Sequence, residues 1–113
     1  MSGFADATDT ATFENVIAGE APVIAKFQTE ACVICRKLEP MLAAVAKPLD
    51  GELALVDVDA ERNPGLAERF HVRGVPTLIL FKDGGEVDRK IGFQTASALR
   101  AWLAPHLSLE VKS

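Results

Sequence analysis

Two cysteines separated by two residues stand where an apolar run gives way to an amphipathic segment. The run 23–27 has almost no polar alternation, as expected of a strand covered on both faces, and the segment 38–46 repeats its apolar side chains at helical spacing. Cys32 and Cys35 therefore occupy a strand-to-helix connection at the N-terminus of the helix. Unpaired backbone N–H groups and the helix dipole stabilise a thiolate there. We predict a dithiol–disulfide redox site, because the thiolate is the nucleophile of disulfide exchange.

Length and charge argue against several other classes of protein. The 113 residues suit a single domain, 1–113, with a core that needs no disulfide staples. Twelve Lys and Arg against sixteen Asp and Glu leave a net charge of −4 and no basic stripe, so nucleic acid is not expected as a partner. The sequence shows neither a secretory signal pattern nor an apolar run near the roughly 20 residues that span a membrane. We expect a cytoplasmic protein, where a Cys-x-x-Cys pair is catalytic or metal-binding rather than structural.

The other predicted elements alternate between helices and strands and close in a hairpin. Residues 1–8 are expected to form a weak edge strand or a loose terminus, and Asp9 or Thr10 to cap a first helix that Gly19 ends. Parallel pairing of the early strands and an antiparallel closing hairpin predict an α/β fold, a central mixed β-sheet flanked by helices on both faces. The later predictions are a helix over 35–47 kinked at Pro40, a strand over 53–58, a short helix capped by Asn63 before Pro64, strands over 77–81 and 86–91 joined by Asp83-Gly84-Gly85, a bulge or close backbone approach at Gly92, and a last helix over 95–103 limited by Pro105.

This pattern resembles the thioredoxin family over residues 13–107. The resemblance implies the thioredoxin fold, with a cis peptide bond between Val75 and Pro76 beside the cysteine pair. It also implies disulfide exchange with protein substrates, whose chain pairs with the backbone just before that proline. No bound cofactor is expected, nothing requires more than a monomer, and a thioredoxin reductase or another dithiol must re-reduce the pair. The matching residues are Cys32 and Cys35 behind their strand, Pro40, Asn63-Pro64-Gly65, Val72-Arg73-Gly74-Val75-Pro76-Thr77, Phe81-Lys82-Asp83-Gly84 and Gly92.

The sequence departs from the family at the site itself. The family's Trp-Cys-Gly-Pro-Cys is replaced by 31–35, Ala-Cys-Val-Ile-Cys, which lacks both the tryptophan and the proline. Lys26 stands where the family has a buried acid, and Leu55 is interpreted as the counterpart of that acid's partner lysine. We predict that Lys26 pairs with Asp57 and modulates the acidity of the thiols. The alternative is a lysine whose stem packs on the sheet while its ammonium group reaches solvent.

The two cysteines have different expected roles. Cys32 lies nearer the rim and is expected to attack a protein disulfide, while Cys35 resolves the mixed disulfide that forms. One alternative is a thioredoxin-fold adaptor protein whose cysteines sense redox state without turnover. Another is a zinc site that adds His71 and His106 to the cysteines. The histidines lack the short spacing of zinc ligands, so we expect no metal.

The side chains around the cysteines predict an apolar docking rim. Ala31, Val33 and Ile34 are expected to form this rim with Val75 and to bind extended, apolar protein segments. The alternative is that these side chains only pack locally. Away from the rim, Phe93 and Trp102 are expected in or near the core.

Overall fold

The computed structural model describes residues 4–7, 10–19, 21–49 and 51–107. The predicted cap at Asp9 and the ends of the segment 1–8 lie outside these residues. A 3-10 turn, Lys47–Leu49, follows the second helix. The strands and helices, in chain order, are β1 (Phe4–Ala7), α1 (Thr10–Ile17), β2 (Val23–Gln28), α2 (Val33–Ala46), β3 (Ala54–Asp59), α3 (Pro64–Arg69), β4 (Thr77–Lys82), β5 (Gly85–Ile91) and α4 (Ala96–Leu107).

The described strands form one mixed sheet in the order β1-β3-β2-β4-β5. β1 and β2 both pair parallel with β3, whereas β4 runs antiparallel to β2 and to β5. This confirms the predicted mixed sheet with its closing hairpin, and β1 is the predicted edge strand. It also makes β2 the central strand, so the connection that carries the cysteines leaves the middle of the sheet.

Side chains that alternate along the strands feed two apolar layers, one on each face of the sheet. Ala25 and Phe27 of β2 pack against α1 and α3, within a layer that contains four closely packed phenylalanine rings. Ile24 points to the other face, where α2 and α4 pack. The helices on both faces confirm the fold class. The buried members of the second layer are Ile24, Leu38, Leu42, Val45, Leu53, Leu55, Leu78, Leu80, Leu99, Trp102 and Leu103.

α2 begins earlier than the sequence indicated. The predicted start was residue 35, but the helix runs over Val33–Ala46 with Cys32 as its N-cap. The reason is that the Cys32 side chain accepts a hydrogen bond from the backbone N–H of Cys35, which satisfies one of the unpaired donors of the first turn. The helix continues through Pro40 as a single element, as expected. Both cysteines are therefore held by one turn of helix.

One predicted helix end is wrong, and one predicted cap is confirmed in its position but not in its side-chain bond. Pro105 does not limit the last helix, because α4 continues to Leu107. A proline near a helix end forfeits only one backbone bond, and Lys82 Nζ donates to the carbonyl of His106 at 2.8 Å, which satisfies an end carbonyl from outside the helix. Asn63 does occupy the N-cap position of α3 but makes no capping bond with its side chain. Its Nδ2 donates instead to the carbonyl of Asp59 at 3.0 Å.

Gly92 is explained by its backbone conformation and not by the expected close approach, since a Cβ at this position would meet no atom within 4 Å. Its N–H donates to the carbonyl of Pro76 at 2.9 Å, and its φ of 91° lies in the region that favours glycine. The irregularity in the hairpin lies elsewhere, where the β4–β5 register shifts between Leu80 and Phe81. Gly92 therefore ties the end of β5 to the loop before β4.

Candidate active site

Cys32 and Cys35 form a disulfide at the first turn of α2, with their Cα atoms 5.2 Å apart. Cys32 is half-buried, whereas Cys35 is only 1% exposed. The backbone N–H of Cys35 lies 3.0 Å from Cys32 Sγ. A helix N-terminus with a donor aimed at sulfur stabilises a thiolate on that sulfur. Of the two cysteines, Cys32 is thus the more exposed, and its sulfur is the one that accepts a hydrogen bond at the helix N-terminus.

The loop before β4 lies at the same end of the sheet as the cysteines. The peptide bond between Val75 and Pro76 is cis, as predicted. Thr77 pairs with Phe27, so the loop stands beside the end of β2 from which the chain runs to Cys32. The hydroxyl of Thr77 donates to the carbonyl of Gly74 at 2.7 Å and fixes the turn of this loop. The sheet thus brings Pro76 and the cysteine pair to one edge.

Apolar side chains are exposed around this edge. Val33 is 58% exposed and Ile34 is 50% exposed on the first turn of α2, Ala31 is exposed beside them and Val75 is half-buried. The expectation for Phe93 is wrong, because 45% of its side chain is exposed. It follows Gly92, two residues after the end of β5. The docking role of these side chains remains a prediction.

Lys26 is buried with two carboxylates beneath α2. The side chain is 1% exposed, so the solvent-reaching alternative is wrong. Lys26 Nζ lies 3.6 Å from Asp57 Oδ1, which confirms the predicted pair, and 3.0 Å from Glu39 Oε2. Glu39 was not foreseen, although it stands one helical turn after Cys35 and so lies on the same side of α2. We call Lys26, Glu39 and Asp57 the ion cluster.

The counterpart of the family's lysine is not Leu55. The β2–β3 register places Lys26 opposite Asp57 and Ile24 opposite Leu55. Leu55 is a buried apolar residue of the α2 and α4 layer. Asp57 therefore faces the position that the family gives to its buried acid. The ion cluster places the cation on β2 and the anion on β3, the reverse of the order that the resemblance implies.

A second polar cluster, formed by Asp88, Trp102 and His106, connects β5 to α4 away from the cysteines. The pKa of Asp88 is lowered by a hydrogen bond from the backbone N–H of Arg89, by one from Trp102 Nε1 at 2.9 Å and by the neighbouring His106. The hydrogen bond to Asp88 gives the indole N–H of the largely buried Trp102 a partner at this end of the core. His106 Nε2 lies 3.2 Å from Asp88 Oδ2, not with the cysteines. Within the described residues, no three His, Cys, Asp or Glu side chains form a group that would hold a metal ion.

Comparisons with known proteins agree with this geometry. A sequence model described as Thioredoxin matches residues 5–105. The thioredoxin of Staphylococcus haemolyticus is 37% identical, over 88% of this chain and 94% of that protein. Thioredoxin 1 of a Nostoc species is 32% identical, over 95% of this chain and 100% of that protein. A mutant thioredoxin from Halobacterium salinarum superposes with a TM-score of 0.85 at 30% identity, over 94% of this chain and 92% of that chain.

The match therefore extends over both the fold and the site. It includes the strand-to-helix connection with its cysteine pair and the cis proline at the adjacent loop. None of the described helices is long and apolar enough to cross a membrane. A disulfide-forming Cys-x-x-Cys in this setting exchanges electrons with other thiols and disulfides. The chain belongs to the thioredoxin family of thiol–disulfide oxidoreductases.

Proposed function

We propose that Cys32 is the attacking residue and Cys35 the resolving residue in the reduction of protein disulfides. The Cys32 thiolate attacks one substrate sulfur, forms a mixed disulfide and expels the other substrate sulfur, which takes up a proton. Cys35 then loses its proton and attacks Cys32 Sγ, which closes the Cys32–Cys35 disulfide and releases the second substrate thiol. The observation that carries this assignment is the contrast between the more exposed Cys32, whose sulfur accepts a hydrogen bond at the helix N-terminus, and the 1% exposed Cys35.

The proposed substrate is an extended, apolar segment of a protein. The backbone of Val75 and Pro76 would pair with it strand to strand, and Ala31, Val33 and Ile34 would contact its side chains. The exposure of the two branched side chains on α2 supports this contact surface.

The proposed setting is a single domain, 1–113, that works as a monomer in the cytoplasm. A reductase or another dithiol would supply two electrons to the Cys32–Cys35 disulfide, and the protein would pass them on in electron transport that maintains the redox balance of the cell. The cytoplasm suits this function because a reducing environment keeps the Cys32–Cys35 pair available as a dithiol.

Insulin reduction in the presence of dithiothreitol tests the proposal. We expect insulin to precipitate several times faster with catalytic amounts of the protein than with dithiothreitol alone, because the helix-activated thiolate of Cys32 exchanges faster than a free thiol. An unchanged rate would favour the other reading of this fold, an adaptor protein whose cysteines sense redox state without turnover. An equimolar amount of a cysteine-free protein serves as the control.

The Cys32–Cys35 pair is expected to be less strongly reducing than thioredoxin, for which the reference potential is about −270 mV. Val33 and Ile34 replace the family's Gly-Pro, so the motif lacks the proline that would stiffen it. Losing that constraint would stabilise the reduced state relative to the disulfide. Equilibration with glutathione buffers gives the potential, and a value equal to or below that reference would contradict this prediction.

A further inference from the structure

Among the described side chains, the carboxylate nearest to the buried ammonium of Lys26 belongs to the helix and not to the sheet. Lys26 Nζ is 3.0 Å from Glu39 Oε2 but 3.6 Å from Asp57 Oδ1, its partner across the β2–β3 ladder. Only the contact with Glu39 is short enough for a charge-assisted hydrogen bond. The two carboxylates also differ in exposure, 47% for Glu39 against 13% for Asp57. Glu39 therefore contacts the ammonium from the more exposed side of the ion cluster.

Glu39 also connects the ion cluster to the cysteine pair. It follows Cys35 by four residues on α2, so the two side chains are neighbours on the helix surface. Cys35 and Lys26 are both 1% exposed. Charges in a protein interior are screened less than charges in water, so the net charge of the ion cluster acts on the thiol–disulfide equilibrium.

Three elements pack around the ammonium, and each supplies a known neighbour. α2 supplies Glu39 and β3 supplies Asp57, the two anions. On β4 the residue opposite Lys26 is Leu78, which is apolar and buried. Asp57 is 13% exposed and Glu39 is 47% exposed, so the Glu39 side chain has more room to adjust to the ammonium.

We propose that Glu39 is a positioning residue that holds and partly neutralises the Lys26 ammonium and thereby sets the redox potential of the Cys32–Cys35 pair. The one ammonium and two carboxylates of the ion cluster carry a formal net charge of −1, and removing the Glu39 charge brings it to zero, so a thiolate is repelled less. The reduced form is then favoured over the disulfide. The inference rests on the proposed function for its biological meaning, but the potential itself is measured without any protein substrate.

Equilibration with glutathione tests the proposal in the intact protein. One protein dithiol and one glutathione disulfide give one Cys32–Cys35 disulfide and two glutathione thiols, so the equilibrium constant reports the potential. For Glu39→Gln we expect this constant to fall about three- to tenfold, which makes the potential about 15 to 30 mV less negative. The pH midpoint of Cys32 alkylation is expected to fall in the same variant, since a thiolate is easier to form.

Two further variants control for charge and shape. Glu39→Asp keeps the carboxylate and is expected to restore most of the wild-type equilibrium constant. Glu52→Gln removes an exposed carboxylate just before β3, at the opposite end of the parallel β2–β3 pair from the cysteines, and is expected to leave the constant unchanged. If Glu39→Gln matches Glu52→Gln, or if Glu39→Asp matches Glu39→Gln, the proposal is overturned.

A double-mutant cycle with Lys26→Met decides whether Glu39 acts through the ammonium. In that background Glu39→Gln is expected to change the equilibrium constant by less than about twofold, because a half-exposed carboxylate is otherwise screened by water. A shift as large as in the wild type would show a direct effect and overturn the proposal. If Lys26→Met does not fold, the comparison among the Glu39 and Glu52 variants still decides. A lack of insulin reduction would contradict the proposed function alone, since the potentials are measured independently of it.

Discussion

Cys32→Ser is expected to reduce the rate of insulin reduction to that of dithiothreitol alone. Serine preserves the size of the side chain, but its hydroxyl is not ionised at neutral pH and does not attack a disulfide. The remaining thiol at Cys35 is 1% exposed and does not reach the substrate. The loss is therefore expected to be complete within the sensitivity of the turbidity assay.

Cys35→Ser is the matched variant, and it separates attack from resolution. It retains the thiolate of Cys32 and is expected to form a mixed disulfide with the substrate that persists, because no second thiol expels it. Non-reducing gels and intact-mass measurement detect this adduct, which should be absent for Cys32→Ser. Adducts in Cys32→Ser but not in Cys35→Ser would reverse the two roles. Equal insulin rates for the wild type and Cys32→Ser would instead favour the adaptor.

The fold followed from local signals that needed no knowledge of distant contacts. The apolar run of β2, interrupted only by Lys26, indicated a central strand. Asp83 and Gly84 indicated the hairpin because both residue types tolerate positive φ, and they adopt 55° and 81°. Helix ends were less predictable, since partners distant in sequence decide them. The bond from Lys82 to the His106 carbonyl, which supports the end of α4, leaves no signature near Pro105.

The site was predicted where one segment defines it and only in part where two segments meet: the pairing of Lys26 with Asp57 was predicted, but Glu39 was missed. The cysteines and Pro76 lie in short motifs, whereas the partner of Lys26 depends on strand register. Leu55 and Asp57 point to the same face of β3, so alternation alone does not tell which of them lies opposite Lys26. Glu39 occupies a polar position that any solvated helix face would carry. Only the packing of α2 over β2 makes it a partner of the buried ammonium.

The free energy of unfolding is expected to fall by about 3 to 5 kcal/mol when both anions of the ion cluster are neutralised, in the variant Glu39→Gln with Asp57→Asn. The 1% exposed ammonium of Lys26 then loses the charge of both carboxylates of the ion cluster, and reducing the compensation of a buried charge is costly. Glu39→Gln alone is expected to cost at most about 1 kcal/mol, because Glu39 is half-exposed and Asp57 remains. Urea unfolding of the oxidised proteins measures both values with the disulfide state held constant.

Adding Lys26→Met to the double variant distinguishes the loss of charge compensation from a disturbed shape. Methionine fills much of the volume of the lysine stem without its charge, and replacing a buried ionic group by apolar atoms is often neutral. The triple variant is therefore expected to recover to within about 1 kcal/mol of the wild type. If it remains as unstable as the double variant, the carboxylates stabilise the fold through packing and not through Lys26. Recovery would show that the two carboxylates are needed because β2 carries a cation beneath the active-site helix.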